Sequence, residues 1–187
     1  EIAAEKENIR FAWRPMEAGR RLQDLLTEFA LTIRSPRFTP QFLNLFLRTY
    51  RQHADHILHN YSKQGNHLLF EAQRMLFAGI YFPEFREAAE WRRSGIEIGV
   101  QVYPDGMQFE LDFGYHIAAI DIFLKALGMA SANGYESEFP ASYVETVGKM
   151  TVVTWNLLFP DYSNPMFGDT KSHDKSSLQR QFRSWSK

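Results

Sequence analysis

An all-α fold is predicted by three observations. Apolar residues recur at helical spacing in six or seven successive segments, junctions carrying proline or glycine separate them, and no two segments alternate as paired strands do. The helix–turn–helix rhythm suits paired helices stacked into an arc or ring, although no exact repeat occurs. At 187 residues the chain is read as one domain, long enough to bury a sizeable core.

The elements follow in order. Pro15 can occupy the first turn of a helix whose stripe is Met16, Leu22, Leu25, Leu26, Phe29 and Ile33, and Arg34-Ser35-Pro36 ends it. Thr39-Pro40 reads as cap plus first position of a long second helix, with Phe42, Leu43, Phe46, Tyr50, Ala54, Ile57, Leu58 and Tyr61 on its apolar face. Gly65-Asn66 is the next junction: Gly65 is expected to stop the second helix and Asn66 to cap the third, which carries Leu68, Leu69, Ala72, Met75, Leu76 and Ile80. Pro83 and Glu84 suit the first turn of a fourth helix through Phe85, Ala88, Trp91 and Ile96. Tyr103-Pro104-Asp105-Gly106 is a turn, followed by an extended lead-in and a fifth helix bearing Tyr115, Ala119, Ile122, Phe123 and Ala126. Asn133-Gly134 closes it, Pro140 opens a sixth, and a last helix is expected from Ser176.

Composition removes several functional classes. Cysteine is absent, so neither disulfides nor thiolate chemistry is available. No run of about 18 apolar residues occurs, so no membrane span is expected. The net charge of −1 gives no field that would by itself recruit a polyanion, which counts against nucleic acid or sulfated sugar unless basic groups cluster locally. Walker, dinucleotide-binding and nucleophile-elbow motifs are missing. The chain starts at Glu1 with neither a methionine nor a signal-like segment, as expected of a processed chain or a piece of a longer one. An aromatic share of 15% fits either a thick helical core or a sugar-stacking groove.

Three local features can carry chemistry. Asn66-His67 opens the third helix, Phe113-Gly114-Tyr115-His116 opens the fifth, and Pro165 to Asp169 lies in a late loop. Two of them sit at helix N-termini, where backbone amides and the helix dipole favour anions. Taken singly, each has a plain structural alternative: Asn66 as a cap, Tyr115 as a core tyrosine, His116 as a satisfied histidine. His53, His56 and His59 step by three around one helix and cannot easily converge on a metal, so a solvated histidine face is expected and no metal site. The arginines at 10, 14, 20, 21, 34 and 37 form either a rim for an anionic ligand or ordinary solvated surface.

Five blocks, taken together, carry a resemblance. Gly65-Asn-His-Leu-Leu-Phe-Glu-Ala-Gln-Arg74, Phe82-Pro-Glu-Phe85, Gln101-Val-Tyr-Pro-Asp-Gly-Met-Gln-Phe-Glu-Leu111, Tyr115-His-Ile-Ala-Ala-Ile-Asp-Ile-Phe-Leu-Lys125 and Pro165-Met-Phe-Gly-Asp169 resemble the heparinase II/III superfamily of polysaccharide lyases. The likeness covers most of residues 37–187 in order. It implies an (α/α) toroid, here residues 1–187 as a single domain or a fragment of one, with a groove built from 65–71, 103–116 and 160–173. It also implies a β-sandwich domain elsewhere in the same polypeptide, an acidic polysaccharide of heparan-sulfate type as substrate, β-elimination without a cofactor, and a periplasmic or secreted location.

On this pattern Asn66 neutralises the uronate carboxylate and Tyr115 is base, acid or both. His67, Glu71, His116 and Asp169 bind substrate or shape the groove. Asparagine suits its place because a neutral donor disperses the charge that develops when the C5 proton leaves; tyrosine suits a base only if its pKa is lowered. Two departures stand out. The family takes a further catalytic histidine from the β domain, and the stretch Gly95-Ile-Glu-Ile-Gly-Val-Gln-Val-Tyr103 is a few residues shorter than the family's equivalent. A lyase for alginate or another polyuronate, and a non-catalytic carbohydrate-binding helical module, are the alternatives these residues leave open.

Overall fold

A computed structural model of the chain describes residues 10–98 and 101–186. Among them are seven α-helices, one short 3-10 turn and no strand beyond a single antiparallel bridge between Val102 and Gln108. The helices are α1 (Pro15–Thr32), α2 (Pro40–Asn60), α3 (Gly65–Tyr81), α4 (Ala88–Ile98), α5 (Phe113–Ala132), α6 (Ala141–Leu157) and α7 (Lys175–Trp185). They form two compact units, Glu1–Gly99 and Val100–Lys187. Gly99 and Val100, within the stretch that is short relative to the family, lie outside the described residues.

The first unit is built on α3, which packs on α4 and on α1. Its core joins Leu22 of α1, Phe46, Tyr50 and Ile57 of α2, Met75 of α3, Phe82, and Trp91 of α4. Pro40 stands where α2 begins, and the Thr39 hydroxyl accepts the Phe42 amide at 3.2 Å, as the sequence implies. The Gly65-Asn66 reading is corrected. α2 stops at Asn60, and Gly65 takes a left-handed φ of +81° at the start of α3, with Gln64 ahead of it. Asn66 therefore lies inside the first turn and is not the cap. The fourth helix also starts later than expected: Pro83 and Glu84 belong to a turn closed by Phe85 N–H on Phe82 O, a second turn joins Phe85 to Ala88, and only then does α4 begin.

α3 and α4 approach closely because each presents a glycine to the other. A Cβ on Gly79 would run into the Ala88 carbonyl oxygen, and one on Gly95 would sit 2.5 Å from the Ala72 oxygen and 2.7 Å from the Leu76 nitrogen. Helix propensity alone favours alanine at Gly95 by roughly 0.5–1 kcal/mol, whereas forced separation of packed backbones costs about 1–3 kcal/mol. Gly95→Ala is thus expected to lower stability, read as a lower urea midpoint; an unchanged or raised midpoint would show that the helices can part at no cost.

The second unit is organised on α5, whose buried face includes Phe113, His116, Ile117, Ile120 and Phe123. Phe113 and Ile117 pack with Leu178 of α7 against Leu157, Leu158 and Trp185. α5 is the one helix among the described residues with the length and composition of a membrane span. It carries Asp121, however, whose carboxylate accepts the Gln181 amide at 2.6 Å and the Trp185 indole N–H at 2.9 Å, so α7 covers one of its faces.

Candidate active site

In the first unit α3 carries Asn66 and His67 in its first turn, both half-buried. Glu71 lies further along the helix, and its side chain is wholly buried. Its two carboxylate oxygens accept the Ser62 amide and the Ser62 hydroxyl, each at 2.7 Å, which pins the α2–α3 connection to the helix. Burial pushes the Glu71 carboxyl above its ordinary value, and the two Ser62 bonds hold it back in part. With no exposed surface and both oxygens committed to Ser62, Glu71 fixes the segment that leads to Asn66.

The expected solvated histidine face is corrected as well. His53 is only 6% exposed: it stacks at 4.7 Å on Trp13, its Nδ1 meets the Thr49 carbonyl at 2.8 Å, and its Nε2 accepts the Arg21 Nε–H at 2.9 Å. His56 Nε2 meets the Trp13 carbonyl at 2.6 Å, and of the three only His59 is exposed. Arg21 is accordingly spent on His53 and the Ala12 carbonyl, and Arg14 pairs with Glu17 at 2.6 Å. Neither belongs to a free basic rim.

In the second unit two of the expected groove segments come together. Asp112 caps α5, its Oδ1 accepting the Tyr115 amide at 2.9 Å. The Thr170 hydroxyl accepts the Gly114 amide at 3.1 Å. Burial alone pushes the Asp112 carboxyl up; the donors around it, the Tyr115 amide foremost, outweigh burial and hold the group below its ordinary value, although Oδ2 is buried without a hydrogen-bond partner. The loop can approach so closely because of Gly168, which takes φ +60° and where a Cβ would lie 2.6 Å from Asp112 Oδ2. Buried Asn164 staples the far side, accepting the His173 amide at 2.8 Å and donating to the carbonyls of Pro165 and Lys171.

This scaffold delivers Asp169 to Tyr115. The Tyr115 hydroxyl donates to Asp169 Oδ2 at 3.1 Å, on the exposed side of the unit. That hydrogen bond, and then the Asp169 charge, hold the phenol above its ordinary value of 10.0. A tyrosine base requires the opposite shift, so the condition set for Tyr115 as a base is not met by these surroundings. His116, one residue on, points inward and is wholly buried. Its Nδ1 accepts the Gln108 amide at 3.2 Å and its Nε2–H donates to the Met150 carbonyl at 3.0 Å, which fixes a neutral tautomer and ties the lead-in segment and α6 to α5. His116 therefore braces the start of α5 from the inside, behind Tyr115. Asp112 and Thr170 were not singled out from the sequence; the aspartate three residues before Tyr115 was the available signal, a helix cap.

Burial lowers both His53 and His116 below the ordinary 6.5. Above pH 6.5 folded and unfolded chains both hold these rings neutral; below it the unfolded chain binds protons that the folded one refuses. Stability is therefore expected to fall as pH drops from 6.5 toward the depressed folded values, by up to about 1.4 kcal/mol per pH unit for each ring. Glu71 and Asp55, shifted upward from 4.5 and 3.8, oppose this as the pH falls further, while the lowered Asp112 carboxyl adds to it. Urea unfolding on either side of pH 6.5 checks it, and a midpoint that stays flat or rises on acidification contradicts it.

Comparison with known proteins extends over the whole chain. The model of the heparinase II/III N-terminus matches residues 2–187. A heparin-sulfate lyase from Bacteroides stercoris is 55% identical and one from Pedobacter heparinus 50%, each over 100% of this chain. The chain spans 29% of the length of either relative. Among solved structures, a heparinase III gene product aligns with TM-score 0.82 and 57% identity over 96% of this chain and 29% of its own. The heparan sulfate lyase HepC from Pedobacter heparinus aligns with TM-score 0.79 and 50% identity, over 98% of this chain and 30% of its own. These likenesses agree with the all-helical toroid segment that the motifs imply. With a family model spanning nearly every residue, the chain belongs to the heparinase II/III family and corresponds to its N-terminal part.

Proposed function

We propose that this chain is the helical part of a polysaccharide lyase that cleaves a glycosaminoglycan of heparan-sulfate type by β-elimination. The observation that carries the reading is identity of 50–55% along the entire chain to proteins named heparin-sulfate lyase. It acts with a β-sandwich domain of the same polypeptide, in the periplasm or outside the cell. The C5 proton of a uronate is weakly acidic because its carboxylate is already negative. The Asn66 amide, in the first turn of α3, hydrogen-bonds that carboxylate and disperses the charge that develops as the proton leaves. Tyr115 is the candidate base, acid or both, and His67 is a further candidate base.

The test is to incubate the 187-residue chain, and a version extended through the β domain, with heparan sulfate and with alginate. The ultraviolet absorbance of the unsaturated uronate reports product. Signal on heparan sulfate supports the reading, and signal on alginate alone moves the substrate class to polyuronates. If the polymer binds and neither protein gives signal, the reading fails and a carbohydrate-binding module replaces it.

A further inference from the structure

We infer that the depression between the end of α6 and α7 is a second saccharide subsite, which stacks a pyranose unit on Trp155 and takes its sulfate or carboxylate groups on Lys175 and Arg183. The choice of an acidic sugar rests on the lyase reading, but the depression itself stands on geometry within the second unit. It has a volume of about 390 Å³, with Trp155 and Tyr162 on one side and Lys175, Phe182 and Arg183 on the other. Small-ligand sites have volumes of this order and combine apolar walls with a few placed polar groups. Asn66, His67 and Tyr115 are not among its walls.

The aromatic wall is held open. Trp155 meets Tyr162 at 6.3 Å and 61° and Phe182 at 5.8 Å and 80°, so neither ring lies flat on the indole, which stays 56% exposed. Phe182 is backed by Trp185 at 5.1 Å, whose indole N–H is bonded to Asp121. Tyr162 takes φ +67°, a left-handed conformation that is strained for a bulky residue. Its turn imposes that conformation. The Phe159 amide donates to the Ser163 carbonyl at 2.9 Å, the Tyr162 amide donates to the Phe159 carbonyl at 2.8 Å, and Asp161 accepts the Ser163 amide and hydroxyl. Glycine would serve a turn better at this position. The tyrosine instead sets its ring beside Trp155 and 4.3 Å from the Lys175 ammonium.

Lys175, Gln179 and Arg183 recur every four residues along α7 and so share the face that lines the depression. No acidic side chain lines it, and among the described residues neither cation is paired with a carboxylate. The acids nearby in sequence are engaged elsewhere: Asp161 holds its turn, and Asp174 caps α7 through the Ser177 amide at 2.6 Å. Two such cations beside a half-exposed indole match a ring that presents a C–H face and carries anionic groups, as a sulfated or uronic pyranose does. Arg183 can grip sulfate or carboxylate through two parallel bonds, and Lys175 adds a point charge. Tyr162 and Asp169 lie seven residues apart on one loop, a reach of at most roughly 25 Å, and Asp169 is bonded to Tyr115. That is close enough for one polymer chain to meet both places.

The test reads the indole directly. The protein extended through the β domain is labelled with 5-fluorotryptophan in a Tyr115→Phe background, so that sugar is not consumed, and Trp155→Phe assigns the resonance. Titration with a heparan-sulfate hexasaccharide is expected to shift the Trp155 fluorine saturably. Lys175→Gln combined with Arg183→Gln, both at exposed positions, should weaken Kd by about tenfold or more. With Tyr115 intact, the same pair of substitutions should raise KM on the polymer and leave kcat unchanged. A Trp155 resonance that ignores the hexasaccharide overturns the inference, as does a Kd that the double substitution leaves unmoved. Equal affinity for ATP would assign the site to planar anionic rings and overturn the assignment to sugar. A Trp155 fluorine with no solvent isotope shift between H2O and D2O would show that the rest of the polypeptide covers this face, which also overturns it. If Trp155 binds the sugar while the parent cleaves no polymer, the lyase reading is lost and the subsite stands. If the polymer is cleaved and Trp155 is silent, the subsite is lost and the lyase reading stands.

Discussion

Aspartate in place of Asn66 is expected to lower turnover of a uronate polymer by about a thousandfold without unfolding the chain. Losing one preorganised donor to a developing anion costs roughly 10²–10³ in rate. The substitution goes further, because it sets a second carboxylate against the one that must be neutralised. Stability should move the other way. Asn66 is within the first turn of α3, behind Gln64 and the left-handed Gly65, so it is not the residue on which the helix end depends. A negative charge in a first turn is favourable by about 0.3–1 kcal/mol. The experiment pairs kcat and KM on the protein extended through the β domain with a urea midpoint on the chain. Turnover within a few-fold of the parent, with the fold intact, would remove Asn66 from the chemistry. A fall of the midpoint by a kilocalorie-scale amount would restore the capping role that the backbone argues against.

How much of this could be read from residues depends on the range over which each feature is decided. α2 was legible at its start because Thr39 and Pro40 are local signals that act on the adjacent turn. α4 was misplaced because Pro83, Glu84 and Phe85 satisfy the rules for a first turn while forming two successive β-turns instead. Phe85 still reaches apolar neighbours, 5.3 Å from Trp91 and 5.9 Å from Phe82, so its place in the hydrophobic pattern was right and its conformation was not. Gly65 does mark a left-handed junction, yet it begins one helix where it was expected to stop the other. His53 failed for a different reason: its partners Trp13 and Arg21 come from outside its own helix, and no spacing within α2 reveals them.

The candidate site divides along the same line. The resemblance brought Tyr115 and Asp169 into view as separate residues, 54 positions apart. Their contact depends on a loop path that only Gly168 permits and that Asn164 and Thr170 hold. The side chains of Glu71 and His116 share their blocks with the candidate catalytic residues but face inward, which a sequence block does not distinguish.

Tyr115→Phe removes a single oxygen and is expected to reduce kcat on the natural polymer by about 10²–10⁴-fold, the usual worth of a positioned proton donor or acceptor. KM should change little, because the lost interaction forms only as the proton moves. Folding should be nearly unaffected: the ring remains, and the bond given up is an exposed one to Asp169. Loss of rate by itself does not separate acid from base, but the leaving group does. A uronate bearing an aryl ether at C4 departs as a stable phenolate that needs no proton. If Tyr115 is the acid, as the Asp169 pairing implies, the phenylalanine variant should cleave this substrate close to the parent rate while remaining defective on the polymer. If Tyr115 is the base, the C5 proton still has to be removed and both substrates should suffer alike. Equal loss on the two substrates would therefore return Tyr115 to the role of base and require substrate to displace Asp169 before the chemistry begins. Parent-like rates on both would mean that elimination is carried by residues other than Tyr115.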